Sequence, residues 1–250
     1  MMKLRLVSPA ALIDLGGIPG LSGMREKADA IVIGAPTTYD ELLRSDVINE
    51  ALPVIAEAAS VVGDLQVRNR GTIGGSLAHA DPASGMPAVV LALDATLTAI
   101  GPNGERTIPA DEFFVDFFTT ALQPDEVLTE IRIPRPSAGT GMAYQKCAQP
   151  ASGYAIVGIA GVLRRGADGV ADTVRIAVTG AGTVPKRAQA AEQALSGTTP
   201  DAEAINNASQ QVSAGIEFMG NMHASEEYRA HLTRMFTARV LTKAAERSHG

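Results

Sequence analysis

The sequence predicts an α+β fold in two parts, and three observations carry that expectation. Up to Pro134, short apolar runs of strand character mix with helical stretches. Pro134-Arg135-Pro136-Ser137-Ala138-Gly139 is then the best linker candidate, because two prolines and a glycine interrupt every regular pattern. Beyond it strands come first and helices after, the order of an antiparallel sheet covered by helices. The 250 residues leave room for two modest domains with real cores, and the boundaries read as 1–136 and 140–247.

In chain order, Met1-Met2-Lys3-Leu4-Arg5-Leu6 opens abruptly in an amphipathic pattern, and Pro9 to Asp14 leads into a turn at Gly16-Gly17. Ala30 to Gly34 carries Ile31, Val32 and Ile33 and reads as a strand. Thr37-Thr38-Tyr39 precedes a helix through Leu43. A second helix spans about Ala51 to Val62, with Leu52, Ile55, Ala59 and Val62 on one face and Gly63 as its C′ residue. Gly71 to Pro87 is rich in Gly, Ser and Ala without a helical period, so a structured loop or bent strand is expected there. Leu93 to Ile100, Gly101-Pro102-Asn103-Gly104 and Glu105 to Ile108 read as strand, turn and strand. Val127 to Ile133 alternates as a strand and stops at Pro134. In the second part Met142 to Cys147, Tyr154 to Arg165 and Val170 to Thr179 are strands, the last two joined by the hairpin signal Gly166-Ala167-Asp168-Gly169. Arg187 to Leu195 is a helix, and the next begins at Pro200 behind Thr199 as N-cap, with Ile205, Ala208 and Val212 inward. A last helix, about Ser225 to Arg247, is expected to bury Tyr228, Leu232, Met235 and Phe236.

Composition narrows the function classes. With 21 basic and 27 acidic residues the net charge is −6, which leaves no electrostatic footprint for nucleic acid. The absence of Trp and a 4% aromatic content also argue against a base-stacking surface. Cys147 is the only cysteine, which excludes an internal disulfide and any cysteine-cluster metal or iron–sulfur site. His79, His223, His231 and His249 are scattered, so no metal site and no catalytic side chain is assigned. There is no basic-then-apolar leader, and Asp94 interrupts the most apolar stretch, Pro87 to Ile100, so no membrane span is expected. A cytoplasmic location fits these features.

The segment that carries chemistry is Arg68-Asn69-Arg70-Gly71-Thr72-Ile73-Gly74-Gly75-Ser76-Leu77-Ala78-His79-Ala80-Asp81-Pro82. Adjacent glycines let a backbone approach a ligand and let successive N–H groups form a nest for phosphate oxygens. The hydroxyls of Thr72 and Ser76 flank that nest and can donate to the same oxygens. No lysine follows the glycines, and the G-x-G-x-x-G spacing is missing, so neither a nucleotide-hydrolysing P-loop nor a Rossmann turn is present. A pyrophosphate held by amides and hydroxyls remains. The plain alternative is a turn or bulge, with Arg68 and Arg70 solvated or ion-paired, His79 structural and Asp81 starting a turn before Pro82.

The wider pattern decides between them. Val67 through Ala83 closely resembles the FAD-binding medium subunit of the molybdenum hydroxylases, the family of carbon monoxide and xanthine dehydrogenases. Leu122-Gln123-Pro124-Asp125-Glu126-Val127-Leu128 followed by Ile131-Arg132-Ile133-Pro134 resembles the strand closing that family's FAD domain. Gln149-Pro150-Ala151-Ser152-Gly153-Tyr154-Ala155-Ile156-Val157 is similar to the start of its C-terminal domain, and Tyr228-Arg229 to its final helix. The motifs occur in order along essentially the whole chain.

The resemblance implies an FAD-binding domain of the molybdenum hydroxylase (PCMH-like) type over 1–136, without its first lobe, and a C-terminal domain of the CO dehydrogenase flavoprotein type over 140–247. It implies that Thr72, Ile73, Gly74, Gly75 and Ser76 wrap the FAD pyrophosphate and that Asp81 belongs to the same cofactor segment. Lys146 and Tyr154 become candidates for tuning or covering the isoalloxazine ring, and Leu128 for lining the flavin pocket. The plain reading of Tyr154 and Leu128 is core packing. The implied partners are an iron–sulfur small subunit and a molybdopterin large subunit, with electrons passing singly through the flavin to an external acceptor.

Two departures stand out. Gly85 lies where relatives usually have an acidic residue that helps hold FAD, and nothing matches the Ala-Gly-Gly loop of the first lobe. The expectation is an internal methionine at the recorded start and weak FAD affinity for this chain alone. A cofactor-free assembly module and a stand-alone flavin reductase of the same fold are the competing readings.

Overall fold

The computed structural model describes residues 4–249, so the Met1-Met2-Lys3 part of the amphipathic opening lies outside the described residues. Leu4 and Leu6, which follow, are exposed and irregular. The first half runs β1 (Met24–Glu26), β2 (Ala30–Gly34), α1 (Tyr39–Arg44), α2 (Asp46–Ala51), α3 (Pro53–Ser60), α4 (Leu65–Arg68), α5 (Ile73–His79) and α6 (Met86–Ala92). It continues through β3 (Thr96–Gly101), β4 (Gly104–Pro109), α7 (Ala110–Phe113), β5 (Phe114–Asp116), β6 (Thr119–Thr120) and β7 (Val127–Pro134). The second half holds β8 (Gly141–Ala148), β9 (Ala155–Arg165), β10 (Ala171–Thr179), β11 (Lys186–Arg187), α8 (Gln189–Leu195), α9 (Ala202–Gln211) and α10 (Glu226–Arg247). No helix among the described residues is long and apolar enough to cross a membrane.

In the first half an antiparallel sheet has the order β1-β2-β7-β3-β4. Its register sets Ile31 opposite Ile133, and Ile33 and Leu97 on either side of Ile131, stacking β-branched and leucine side chains across three strands. In the second half the order is β11-β10-β9-β8, also antiparallel. Alternation along its strands divides the side chains between two cores. Met142, Tyr144, Ala160, Val162 and Ala177 join the core built by the first half. Ala143, Ile159, Leu163, Ile176 and Val178 face the other way, against α8, α9 and α10. The second sheet is therefore a middle layer, with α3 and α6 on one face and α10 on the other.

Several sequence expectations are corrected by local chemistry. The glycine-rich stretch is not a loop or bent strand: its centre is α5, too short and too small-sided to show a period. The helix expected over Ala51 to Val62 is two helices, parted where Leu52 leaves helical geometry ahead of Pro53. Val61 is the C-cap of the second, and Gly63, at φ +45°, lies one residue beyond the expected C′ position. Leu93 ends α6, Asp94 turns at φ +49°, and the strand starts only at Thr96. Lys186–Arg187 is a short strand, so that helix begins at Gln189. Asp201, not Thr199, caps α9, accepting from the Ala204 N–H at 2.9 Å. On α10, Tyr228 and Met235 are exposed while Arg229 is buried, together with Leu232, Thr233 and Thr237.

Polar contacts also join the halves. Glu57 of α3 meets Lys243 and Arg247 of α10, each at 2.8 Å, and accepts the Tyr144 N–H at 2.7 Å. Burial pulls the Glu57 carboxyl upward, but the bonds from Lys243, Tyr144 N–H and Arg247 outweigh it, and its pKa is lowered. A lowered carboxylate pKa adds stability that is present above the ordinary value of 4.5 and disappears as pH falls through the folded-state value. Glu57→Gln is expected to cost about 1–2 kcal/mol at pH 7 in urea denaturation. The gap between variant and parent should close below pH 4.5, and a gap that stays constant down to pH 3 refutes this role.

Candidate functional site

Helix α5 begins where it does because Thr72 is extended, at φ −116° and ψ 153°, and its Oγ1 accepts from the Gly75 N–H at 3.0 Å. The start of the helix is sewn to the turn after β2. The Ile73 N–H donates to Thr37 O at 3.0 Å and the Gly74 N–H to Ala35 O at 2.8 Å. A Cβ on Gly74 would lie 2.7 Å from the Cα and the carbonyl oxygen of Ala35, so only glycine permits this crossing. The expected nest of free amides is thus replaced by a capped helix end, in which the Ile73 and Gly74 amides serve the fold. Ile73 itself is fully buried in the core.

Two clefts flank this helix end. The first, about 500 Å³, is lined by Tyr39, Arg70, Thr72, Gly75, Ser76, His79, Asp81, Ser84, Gly85, Lys146 and Tyr154, among others. The second, about 670 Å³, has a more apolar wall that includes Leu15, Ala78, Leu122, Val127 and Leu128. Arg70, Thr72 and Gly75 line both, so the clefts meet at the capped helix end. An elongated ligand with a charged middle and two flat ends suits that shape.

A model of the "FAD binding domain in molybdopterin dehydrogenase" family matches residues 1–136, and one of the "CO dehydrogenase flavoprotein C-terminal domain" matches residues 142–244. The chain belongs to this family. The carbon monoxide dehydrogenase medium chain of Hydrogenophaga pseudoflava is 38% identical over 244 residues, covering 98% of this chain and 85% of the relative. The 6-hydroxypseudooxynicotine dehydrogenase complex subunit alpha of Paenarthrobacter nicotinovorans is 37% identical over 248 residues, covering 99% and 84%. A solved structure of the Hydrogenophaga pseudoflava carbon monoxide dehydrogenase lacking the Mo-pyranopterin moiety superposes with a TM-score of 0.95 at 40% identity, over 100% of this chain and 86% of that one.

Within this member of the molybdopterin dehydrogenase FAD-binding family, the sequence-derived residues fall into groups. Thr72 and Gly75 sit at the junction of the clefts, and Ser76, Asp81, Lys146 and Tyr154 line the first. Gly74 and Leu128 line the second, so Leu128 does not meet Lys146 and Tyr154. Tyr154 is 49% exposed, which excludes core packing, whereas Leu128 is both buried and cleft-lining. Asp81 Oδ1 accepts the Ala83 N–H at 2.9 Å and so shapes the turn before α6. Lys146 Nζ donates to Val61 O at 2.7 Å and Gly153 O at 2.5 Å, and burial lowers its pKa. Arg68 donates to Val62 O and Gly63 O, which makes it structural.

Sequence reasoning read Arg70 as solvated or ion-paired and gave Tyr39 and Ser84 no role in a site. Arg70 forms no ion pair among the described residues and reaches both clefts. Its position two residues before Thr72 was the available signal. The hydroxyls of Ser84 and Ser76 lie 2.6 Å apart on the wall of the first cleft. These hydroxyls, the free guanidinium and the paired clefts fit FAD. No cluster of metal-ligating side chains occurs among the described residues.

At Gly85 the structure leaves little room for any side chain. A Cβ there would lie 2.5 Å from Tyr144 Oη and 3.0 Å from Cζ. That hydroxyl is buried without a hydrogen-bond partner, and burial pushes its pKa up. Tyr144→Phe is therefore expected to stabilise the protein by about 1 kcal/mol, since an unsatisfied buried group is removed. Gly85→Ala should cost about 1–3 kcal/mol in the parent and less beside Phe at 144. Strictly additive thermal shifts in the double variant contradict the clash.

Proposed function

We propose that this chain holds FAD across both clefts and serves as the electron-transferring subunit of a molybdenum hydroxylase-type oxidoreductase in the cytoplasm, with an iron–sulfur small subunit and a molybdopterin large subunit as partners. The observation that carries the reading is the junction of the two clefts at Arg70, Thr72 and Gly75, in a chain of this family. The division into a cofactor-binding part over 1–136 and a covering part over 140–247 belongs to the same proposal. The chemistry FAD supplies when bound is electron exchange, singly with iron–sulfur clusters and onward to an external acceptor.

The residues then have distinct tasks. Arg70 neutralises the pyrophosphate, and Thr72, whose oxygen already accepts from Gly75, still has its O–H to donate. Ser76 and Ser84 together offer one free hydroxyl hydrogen beside it. Tyr154 covers the ring end in the first cleft, and the half-buried Lys146 ammonium there favours added negative charge on the ring. Leu122, Val127 and Leu128 receive the other end in the second cleft. No side chain is required as nucleophile or general base. The substrate is chosen elsewhere, since two relatives of nearly equal similarity are named for substrates as unlike as carbon monoxide and 6-hydroxypseudooxynicotine.

Titrating the purified chain with FAD should quench the flavin fluorescence and leave flavin with the protein after gel filtration, and the absence of both at saturating FAD refutes the reading. Arg70→Met is expected to weaken FAD roughly tenfold, the worth of one charge-assisted contact, while leaving riboflavin, which lacks phosphates, unaffected. Equal loss for both ligands contradicts a pyrophosphate role for Arg70.

A further inference from the structure

We propose that Arg229, on α10 and outside both clefts, is a positioning residue that sets the cofactor-facing segment Pro82-Ala83-Ser84 through the ends of two strands. The inference rests on the FAD reading of the first cleft. The Arg229 side chain is buried, at 5% exposure, and no carboxylate pairs with it among the described residues. Its Nη1 donates to Ile156 O, at 2.5 Å, and to Gly180 O. Its Nε is buried without a partner, and burial pushes its pKa down. A buried cation held only by carbonyls is expensive, and an apolar side chain of similar volume would pack α10 at lower cost. What an apolar residue cannot do is clasp those two carbonyls together.

The clasp lies where β9 begins and β10 ends. Gly180, at φ +76°, is so close to β9 that a Cβ would lie 2.7 Å from Ile156 O. From this point the two strand ends grip the segment between α5 and α6. The Gly180 N–H donates to Pro82 O at 2.7 Å, and the Ala155 N–H to Ala83 O at 3.2 Å. Thr179 Oγ1 stands 2.7 Å from both Pro82 O and Ser84 O, donating to one at a time. Ser84 Oγ in turn meets Ser76 Oγ at 2.6 Å on the cleft wall. A wall of the cofactor cleft in the first half is thus positioned from the second half, and Arg229 fixes the part that does it.

Three full-length proteins test this: Arg229→Met, Arg229→Lys and Thr179→Val. Arg229→Met is expected to weaken FAD, followed by fluorescence quenching, at least tenfold, without a matching fall in the thermal midpoint of the flavin-free protein. Arg229→Lys, which keeps a donor, should recover part of the affinity. Thr179→Val should act in the same direction, and combining it with Arg229→Met should add little, since both act through one segment. Hydrogen exchange at the Ala83 to Gly85 amides, read without flavin, should quicken at least tenfold in Arg229→Met. FAD affinity within twofold of the parent, or affinity lost only in proportion to thermal stability, overturns the proposal. If the parent binds no FAD, the cofactor reading fails, and the exchange rates still decide whether Arg229 positions the segment.

Discussion

The four strands β8 to β11 form a sheet with apolar side chains on both faces, and such a sheet has to be covered twice. On one side α10 and the other late helices do this, around Val240, Leu241 and Ala244. On the opposite side the cover comes from the first half of the chain, through α3 and α6, and Met142, Tyr144 and Val162 enter the core those helices share with the first sheet. Most of the remaining architecture follows from that double cover. The halves are held face to face, so Lys146 and Tyr154, at the exposed end of the second sheet, come to stand beside the start of α5. The first cleft is a seam between layers.

Two sets of ion pairs cross the same seam. Besides the clamp around Glu57, Asp94 reaches from the first half to Arg175 at 2.8 Å and Arg187 at 2.6 Å. Arg187 also binds the nearly buried Glu192 at 2.6 Å, and Glu192 accepts the Ile176 N–H at 2.8 Å. Burial lowers the Arg187 pKa, and Glu192 and Asp94 more than restore it. A network in which each charge has a partner fixes orientation better than isolated surface pairs do. The exposed Arg106–Glu126 pair, 2.6 Å apart and with the Glu126 pKa down to about 2, braces the rim of the second cleft.

Strands were legible where short apolar runs were also β-branched, as in Ala30 to Gly34 and Tyr154 to Arg165, whereas the equally apolar Met86 to Ala92 is helix. Short helices were legible unevenly: α1 and α8 were read from the sequence, but α5 was not. α5 holds two glycines and only seven residues, and what makes it a helix is the Thr72 cap together with an approach to Ala35 from distant sequence. The outward turn of Tyr228 and Met235, and the burial of Arg229, depend on which face of α10 meets β8 and β9. A long helix with charge on every side does not announce that choice. For the glycine-rich segment, the ordered motifs identified the family, but the residues that unite the clefts include Arg70, a type so often solvated that its closeness to Thr72 in sequence was the one signal for it.

The shared core has a consequence in time. A ribosome delivers Ala92 well before Arg165, and until β8 and β9 emerge the faces of α3 and α6 that meet the second sheet stay uncovered. At synthesis rates of ~5–20 residues per second, that interval lasts on the order of several seconds. The nascent first half therefore displays an incomplete core, available to a chaperone or to another nascent copy, for longer than local folding takes.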